Sequence, residues 1–170
     1  MTAPLEVPTA DAMRRLGREL AALLRPGDLV VLSGDLGAGK TTFTQGVGAG
    51  LRVRHDVTSP TFVIARVHPS AADGPALVHV DAYRLGSLAE VDDLDLDASL
   101  ADSVTVVEWG EGLVEELAAD RLEVRLRRPR GDEVDGTDGV DGAQVGGDEP
   151  RTVEMAGFGG RWHGVRLPTD

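Results

Sequence analysis

The sequence predicts an α/β fold of three layers, with a central, mainly parallel sheet and antiparallel edge strands at the C-terminal end. Three observations predict it. Short apolar runs recur at residues 29–32, 76–80 and 104–107, as in strands buried on both faces. A segment of helical period precedes the first run, and a proline-free segment able to enter a helix follows it after a glycine loop. Beyond residue 120 the pattern becomes strict alternation, as in Leu122-Glu123-Val124-Arg125-Leu126-Arg127 and again over 152–156. At 170 residues and 41% hydrophobic content, the chain fits one domain with its own core.

Residues 1–8 hold two prolines and read as an extended lead-in. Thr9 or Asp11 can cap a helix in which Ala12, Leu16, Leu20, Leu23 and Leu24 recur on one face. Pro26-Gly27 should stop it. The first core strand, Leu29-Val30-Val31-Leu32, runs into Gly34-Asp35-Leu36-Gly37-Ala38-Gly39-Lys40-Thr41. That octet fits G-x-x-x-x-G-K-[ST], the phosphate-binding loop, and a segment able to enter a helix follows it. The glycines let successive N–H groups point into one concavity, and the helix N-terminus adds partial positive charge. Asp35, Leu36, Gly37, Ala38, Gly39, Lys40, Thr41 and Thr42 are therefore the candidate phosphate-binding residues. Lys40 would reach the β and γ phosphates of a nucleotide, and the Thr41 hydroxyl would bind Mg²⁺. Lys40 is also the only lysine in the chain. The helix after the loop ends in Gly46-Val47-Gly48-Ala49-Gly50, a weak, glycine-rich terminus.

Val57-Thr58-Ser59-Pro60-Thr61-Phe62 comes next, directly before a strand predicted over 62–67. Its hydroxyls suit a loop that senses a γ-phosphate, and equally an ordinary turn opening a strand. Residues 69–75 form a turn, and the strand over 76–81 ends in Asp81. In phosphate-loop proteins a second parallel strand carries such an aspartate, which holds Mg²⁺ through water. His79 reads as a half-buried strand residue rather than a ligand. Residues 87–102 alternate acids with leucines and lack the glycine and glutamate of a calcium loop, so a short solvated helix and turn is expected. Another buried strand closes with Glu108-Trp109-Gly110-Glu111, and a short helix is expected over 113–117. The 122–127 strand suits an antiparallel or edge position, paired with 152–156. Between them, residues 131–150 hold seven acids, no base and an Asp-Gly repeat every three residues. This composition predicts a disordered insertion. Trp162 and Leu167 are candidates to seal the sheet.

The formal net charge of −12 argues against tight direct binding to tRNA. The excess is uneven: residues 1–130 carry 20 acids against 14 bases, so a local basic face is possible. With no cysteine, disulfides, thiolate metal sites and cysteine nucleophiles are excluded. No stretch has the form of a signal peptide or a membrane span, so a soluble cytoplasmic protein is expected, with no membrane partner.

Four pieces stand in order: residues 34–42, Thr58-Ser59-Pro60-Thr61-Phe62, His79-Val80-Asp81-Ala82-Tyr83-Arg84 and Glu108-Trp109-Gly110-Glu111. Their order and spacing resemble the TsaE (YjeE) family of small bacterial P-loop ATPases over about residues 10–128. The resemblance implies a P-loop NTPase-like fold, with ATP and Mg²⁺ as ligands. It implies partnership with TsaD and TsaB homologues in making threonylcarbamoyladenosine next to the anticodon of tRNA. In that family ATP hydrolysis is thought to reset the complex, and tRNA is met only through the complex. Carried over by position, Gly37, Gly39, Lys40, Thr41 and Thr42 would contact phosphate and Mg²⁺. Thr58 and Thr61 would belong to the nucleotide-sensing loop. Asp81 and Glu108 would be the acids around metal and water, and would act with Lys40 in catalysis. Trp109 would sit beside the nucleotide, with Tyr83 and Arg84 lining the site or a partner face.

A small-molecule or nucleotide kinase shares the loop and the sheet, but it should carry an arginine-rich lid. The one dense arginine cluster here is at 125–130, with no long helical lid in view. A GTPase commonly reads guanine through Asn-Lys-x-Asp, and this chain has no asparagine. A binding module with a degenerate loop fits poorly with the intact Lys40-Thr41 pair.

Overall fold

The computed structural model describes residues 1–60, 65–84, 101–112, 118–128 and 149–169, leaving the side chain of Arg84 aside. The described residues form a mixed α/β fold on one seven-stranded sheet. Its strands are β1 (Leu5–Val7), β2 (Leu29–Ser33), β3 (Ala65–His68), β4 (Ala76–Asp81), β5 (Ser103–Glu108), β6 (Arg121–Arg127) and β7 (Arg151–Phe158). They lie in the order β1-β7-β6-β2-β5-β4-β3. The four central strands, β6, β2, β5 and β4, are mutually parallel. β1, β7 and β3 each run antiparallel to their neighbours.

The parallel centre and the pairing of β6 with β7 match the sequence expectation. Three details differ. Antiparallel strands close both ends of the sheet, because β3 pairs with β4 at the far edge. The lead-in carries an edge strand of its own, β1. And β6 is no edge: it lies between β2, to which it is parallel, and β7. Its alternation reports face, not position. Leu122, Val124 and Leu126 are buried, whereas Glu123 and Arg125 are only half-buried on the opposite face. The regions expected to form helices over 87–102 and 113–117, and the insertion over 131–150, lie wholly or almost wholly outside the described residues.

Helix α1 (Ala10–Ala21) starts where Thr9 places its hydroxyl 3.1 Å from the Ala12 N–H, so Thr9 and not Asp11 is the cap. It ends before Pro26-Gly27 is reached. Helix α2 (Lys40–Gly50) begins inside the phosphate-loop octet. It ends at Gly50, as expected, and Gly46 in that glycine-rich end also makes a helix contact with Gly17 of α1. A Cβ on Gly17 would lie 2.4 Å from the Phe43 carbonyl oxygen, and one on Gly46 would lie 2.2 Å from that of Arg14. Backbone therefore meets backbone between α1 and α2. Together the two helices cover the sheet face that presents Val30, Leu32, Leu77, Val104, Val106 and Leu126. The opposite face buries Leu29, Val31, Val78, Val80 and Val107. Neither described helix is long and apolar enough to cross a membrane.

The C-terminal segment is tied to the start of β2 by a buried ion pair. Arg161 donates from Nε to Asp28 Oδ1 at 2.9 Å and from Nη2 to Asp28 Oδ2 at 2.8 Å. The same Nη2 donates to the Leu23 carbonyl at 2.7 Å, and the guanidinium lies over the Trp162 ring. Trp162 is buried, and Leu167 packs on the same core, as the sequence led us to expect. Removing one partner of such a pair leaves the other charge buried and uncompensated. Arg161→Ala should therefore cost about 3–5 kcal/mol in chemical denaturation. A loss below about 1 kcal/mol, the worth of a surface pair, would show that the clamp is not structural.

Candidate functional site

The loop after β2 cannot carry a side chain at its first position. Gly34 has φ 140°, and a Cβ there would lie 2.1 Å from the Leu126 carbonyl oxygen of β6. Gly39, at φ 102°, caps α2 without a side-chain hydrogen bond. The first N–H groups of α2 thus have no capping side chain, which leaves them able to meet an anion.

Lys40, the first residue of α2, is buried. Its ammonium donates to the Gly34 carbonyl at 2.7 Å and the Asp35 carbonyl at 3.0 Å, and sits 3.6 Å from the centroid of the Trp109 ring. Burial lowers its pKa from the usual lysine value, while the charges of Glu108, Asp81 and Asp35 oppose that shift. The ammonium is thus a desolvated cation close to two strand-end carboxylates.

Those carboxylates meet by register. β4 and β5 are parallel, and Asp81 stands opposite Glu108; on the other side of β5, Leu32 of β2 stands opposite Glu108. Thr41 Oγ1 lies 3.0 Å from Glu108 Oε1 and 3.3 Å from Oε2, and donates to that carboxylate. His79 Nε2 lies 2.8 Å from Glu108 Oε1. Asp81 Oδ1 accepts the Tyr83 N–H at 3.0 Å, which turns the chain at the end of β4. Trp109 has a positive φ of 62° and is held by its N–H to the Leu32 carbonyl at 3.0 Å. Its ring contacts that of Tyr83, with centroids 5.1 Å apart.

Most of these groups, though not His79 or Leu32, line one cavity of about 370 Å³. Its walls include Leu36, Gly37, Gly39, Lys40, Thr41, Thr42, Asp81, Glu108 and Trp109, all named from the sequence. Tyr83 lines it as well. Asp35 and Ala38 do not: Ala38 is buried, and Asp35 lines a larger cavity on the other side of the loop with Glu111, Arg125 and Arg128. That cavity, about 810 Å³, is lined by neither Lys40 nor Thr41 nor either strand-end acid, all of which line the smaller one. From the 57–60 loop it is Ser59 that lines the site, whereas the exposed Thr58 hydroxyl accepts from Arg66. Thr61 lies outside the described residues. His79, expected to be half-buried, is fully buried and bonded to Glu108. The signal for it was strand periodicity: His79 and Asp81 are two apart and share a face.

A magnesium ion fits this donor set. Among the described residues, no group of three or more His, Cys, Asp or Glu side chains could hold a metal. The cavity offers the Thr41 hydroxyl and the Asp81 and Glu108 carboxylates, all hard oxygens. Mg²⁺ is commonly held in that way, by one or two carboxylates with substrate phosphates and water making up the rest.

Residues 7–134 match the family model described as "Threonylcarbamoyl adenosine biosynthesis protein TsaE". The chain belongs to the TsaE family. A Streptomyces coelicolor relative, named a tRNA threonylcarbamoyladenosine biosynthesis protein TsaE, is 64% identical over 88% of this chain and 93% of its own. A Bacillus subtilis relative of the same name is 40% identical over 72% of this chain and 76% of its own. The crystal structure of YdiB from Bacillus subtilis superposes with a TM-score of 0.65 at 29% identity, covering 95% of this chain and 88% of that one. The family match takes in every candidate site residue and stops within the Asp-Gly segment.

Lys40 supplies the cavity's cation, so Lys40→Ala should weaken binding of a magnesium nucleoside triphosphate about 10–150-fold, from loss of a charge-assisted contact worth about 1.5–3 kcal/mol. The fold should survive, because burial already penalises that charge. Calorimetry giving wild-type affinity for a folded Lys40→Ala protein would remove the phosphate-loop assignment.

Proposed function

We propose that this chain is a Mg²⁺-dependent ATPase serving the formation of threonylcarbamoyladenosine next to the anticodon of tRNA. It works with TsaD and TsaB homologues in the cytoplasm, its hydrolysis resets their complex, and it meets tRNA only through them. The observation that carries the reading is the convergence of Lys40, Thr41, Asp81 and Glu108 on one cavity. Family membership and the names of the relatives supply the pathway.

In this reading the loop N–H groups hold the phosphates. Lys40 transfers its hydrogen bonds from the Gly34 and Asp35 carbonyls to the β and γ phosphates, a point charge for a point charge. Thr41 and Asp81 would hold Mg²⁺, which would supply positive charge beside the phosphates. Glu108 orients the attacking water and accepts its proton. The water oxygen bonds to the γ-phosphorus, the bond to the β–γ bridging oxygen breaks, and ADP and orthophosphate leave. Trp109, in van der Waals range of Lys40, reports the exchange of partners. The chain lacks the common guanine-reading motif, so ATP is preferred to GTP. The acidic net charge favours contact with tRNA through partners rather than directly.

Glu108→Gln keeps size and hydrogen bonding but removes the base. Orthophosphate release, measured with the TsaD and TsaB partners present, should fall by about 10²–10⁴, the usual worth of general-base help, while Mg-ATP binding persists. Turnover equal to wild type would count against the role of Glu108. Phosphate appearing on an added acceptor instead of in solution would point to a kinase.

A further inference from the structure

His79 is an expensive residue for its position. It is fully buried, on the same sheet face as Leu77, Val104 and Val106, where an aliphatic side chain would carry no desolvation penalty. β4 and β5 set His79 opposite Val106 and Asp81 opposite Glu108, so His79 stands diagonally below Glu108, in the core beneath the residues that line the cavity. Nε2 lies 2.8 Å from Glu108 Oε1, and among the described residues Nδ1 has no hydrogen-bond partner. Those surroundings fix the tautomer. A proton on Nδ1 would be buried without an acceptor, and it would leave two acceptors facing each other at Nε2 and Oε1. The proton is therefore on Nε2, and the ring donates to Glu108.

Thr41 is the second donor to Glu108, from the opposite, α2 side. Its hydroxyl lines the cavity and is free to change partners when a ligand arrives. His79 is anchored in the core and is not. We propose that His79 is a positioning residue: its Nε2–H, donated from beneath, holds Glu108 by Oε1 and leaves Oε2 turned to the reacting water. This inference rests on the reading that Glu108 takes part in hydrolysis.

His79→Leu removes the donor, His79→Gln keeps an N–H at similar reach, and His79→Asn is too short to reach Glu108. With the partner proteins present, His79→Leu should lower kcat about 10–100-fold, the usual cost of losing an outer hydrogen-bond partner, with little change in KM or in Mg-ATP affinity by calorimetry. His79→Gln should recover most of the rate. In a Glu108→Gln background, His79→Leu should cost nothing more. If the leucine variant does not fold, His79→Asn takes its place in each comparison. Nitrogen-15 NMR of the nucleotide-free protein should place the ring proton on Nε2. A proton on Nδ1, wild-type kcat in the donorless variants, no recovery with glutamine, or equal losses in both backgrounds would each overturn the proposal. If Glu108→Gln alone turns over like wild type, the hydrolytic reading of Glu108 falls first. If Glu108→Gln is slow and His79→Leu is not, only the role of His79 falls.

Discussion

The parallel pairing of β2, β5 and β4 is the constraint on which the site depends. It brings Leu32, Glu108 and Asp81 level with one another at the carboxyl ends of three strands. Open α/β sheets place ligands at such strand ends. A slip of one residue between β4 and β5 would send the acids to opposite faces. Tight backbone contacts hold the rest of the frame. Gly34 passes against the Leu126 carbonyl of β6, and Gly17 and Gly46 bring α1 onto α2. The loop is thus fixed from the sheet side and from the helix side before any side chain in it acts.

Within that frame the polar groups of the site pair with one another, His79 Nδ1 apart. Lys40 bonds to two carbonyls of its own loop, Thr41 and His79 bond to Glu108, and Asp81 bonds to the Tyr83 N–H. Buried polar groups of this kind are tolerated only when they are paired. The pairing also explains how the site can be built without a ligand and still receive one. A phosphate offers Lys40 a better partner than a carbonyl, because that hydrogen bond is charge-assisted at both ends. The Lys40 contact with Trp109 adds a third partner that exchange must disturb.

Much of this was legible in the sequence, for reasons particular residues make plain. Lys40 and Thr41 could be read because the phosphate loop fixes residue types at fixed spacing between a strand and a helix. Asp81 and Glu108 could be read because each ends an apolar run. The β1 edge strand could not, since its three residues carry no period of their own. Nor could the interior place of β6, whose alternation marks one charged face and says nothing of neighbours. Gly46 reads as part of a weak helix end because propensity is local, whereas its close contact is with the backbone of α1 across the gap. His79 was undervalued for the same cause: its partner, Glu108, is 29 residues away in sequence and 2.8 Å away in space.

The central claim is that the partners of Lys40 and Thr41 seen here are the ones a bound magnesium nucleotide replaces. A crystal structure with Mg²⁺ and a non-hydrolysable ATP analogue tests it most directly. The account predicts phosphates in the cavity lined by Thr42, Asp81 and Glu108, with the Lys40 ammonium moved from the Gly34 and Asp35 carbonyls onto phosphate oxygens and the Thr41 hydroxyl on the metal. Phosphates seated instead among Glu111, Arg125 and Arg128, with Lys40 still bonded to its own loop, would contradict it.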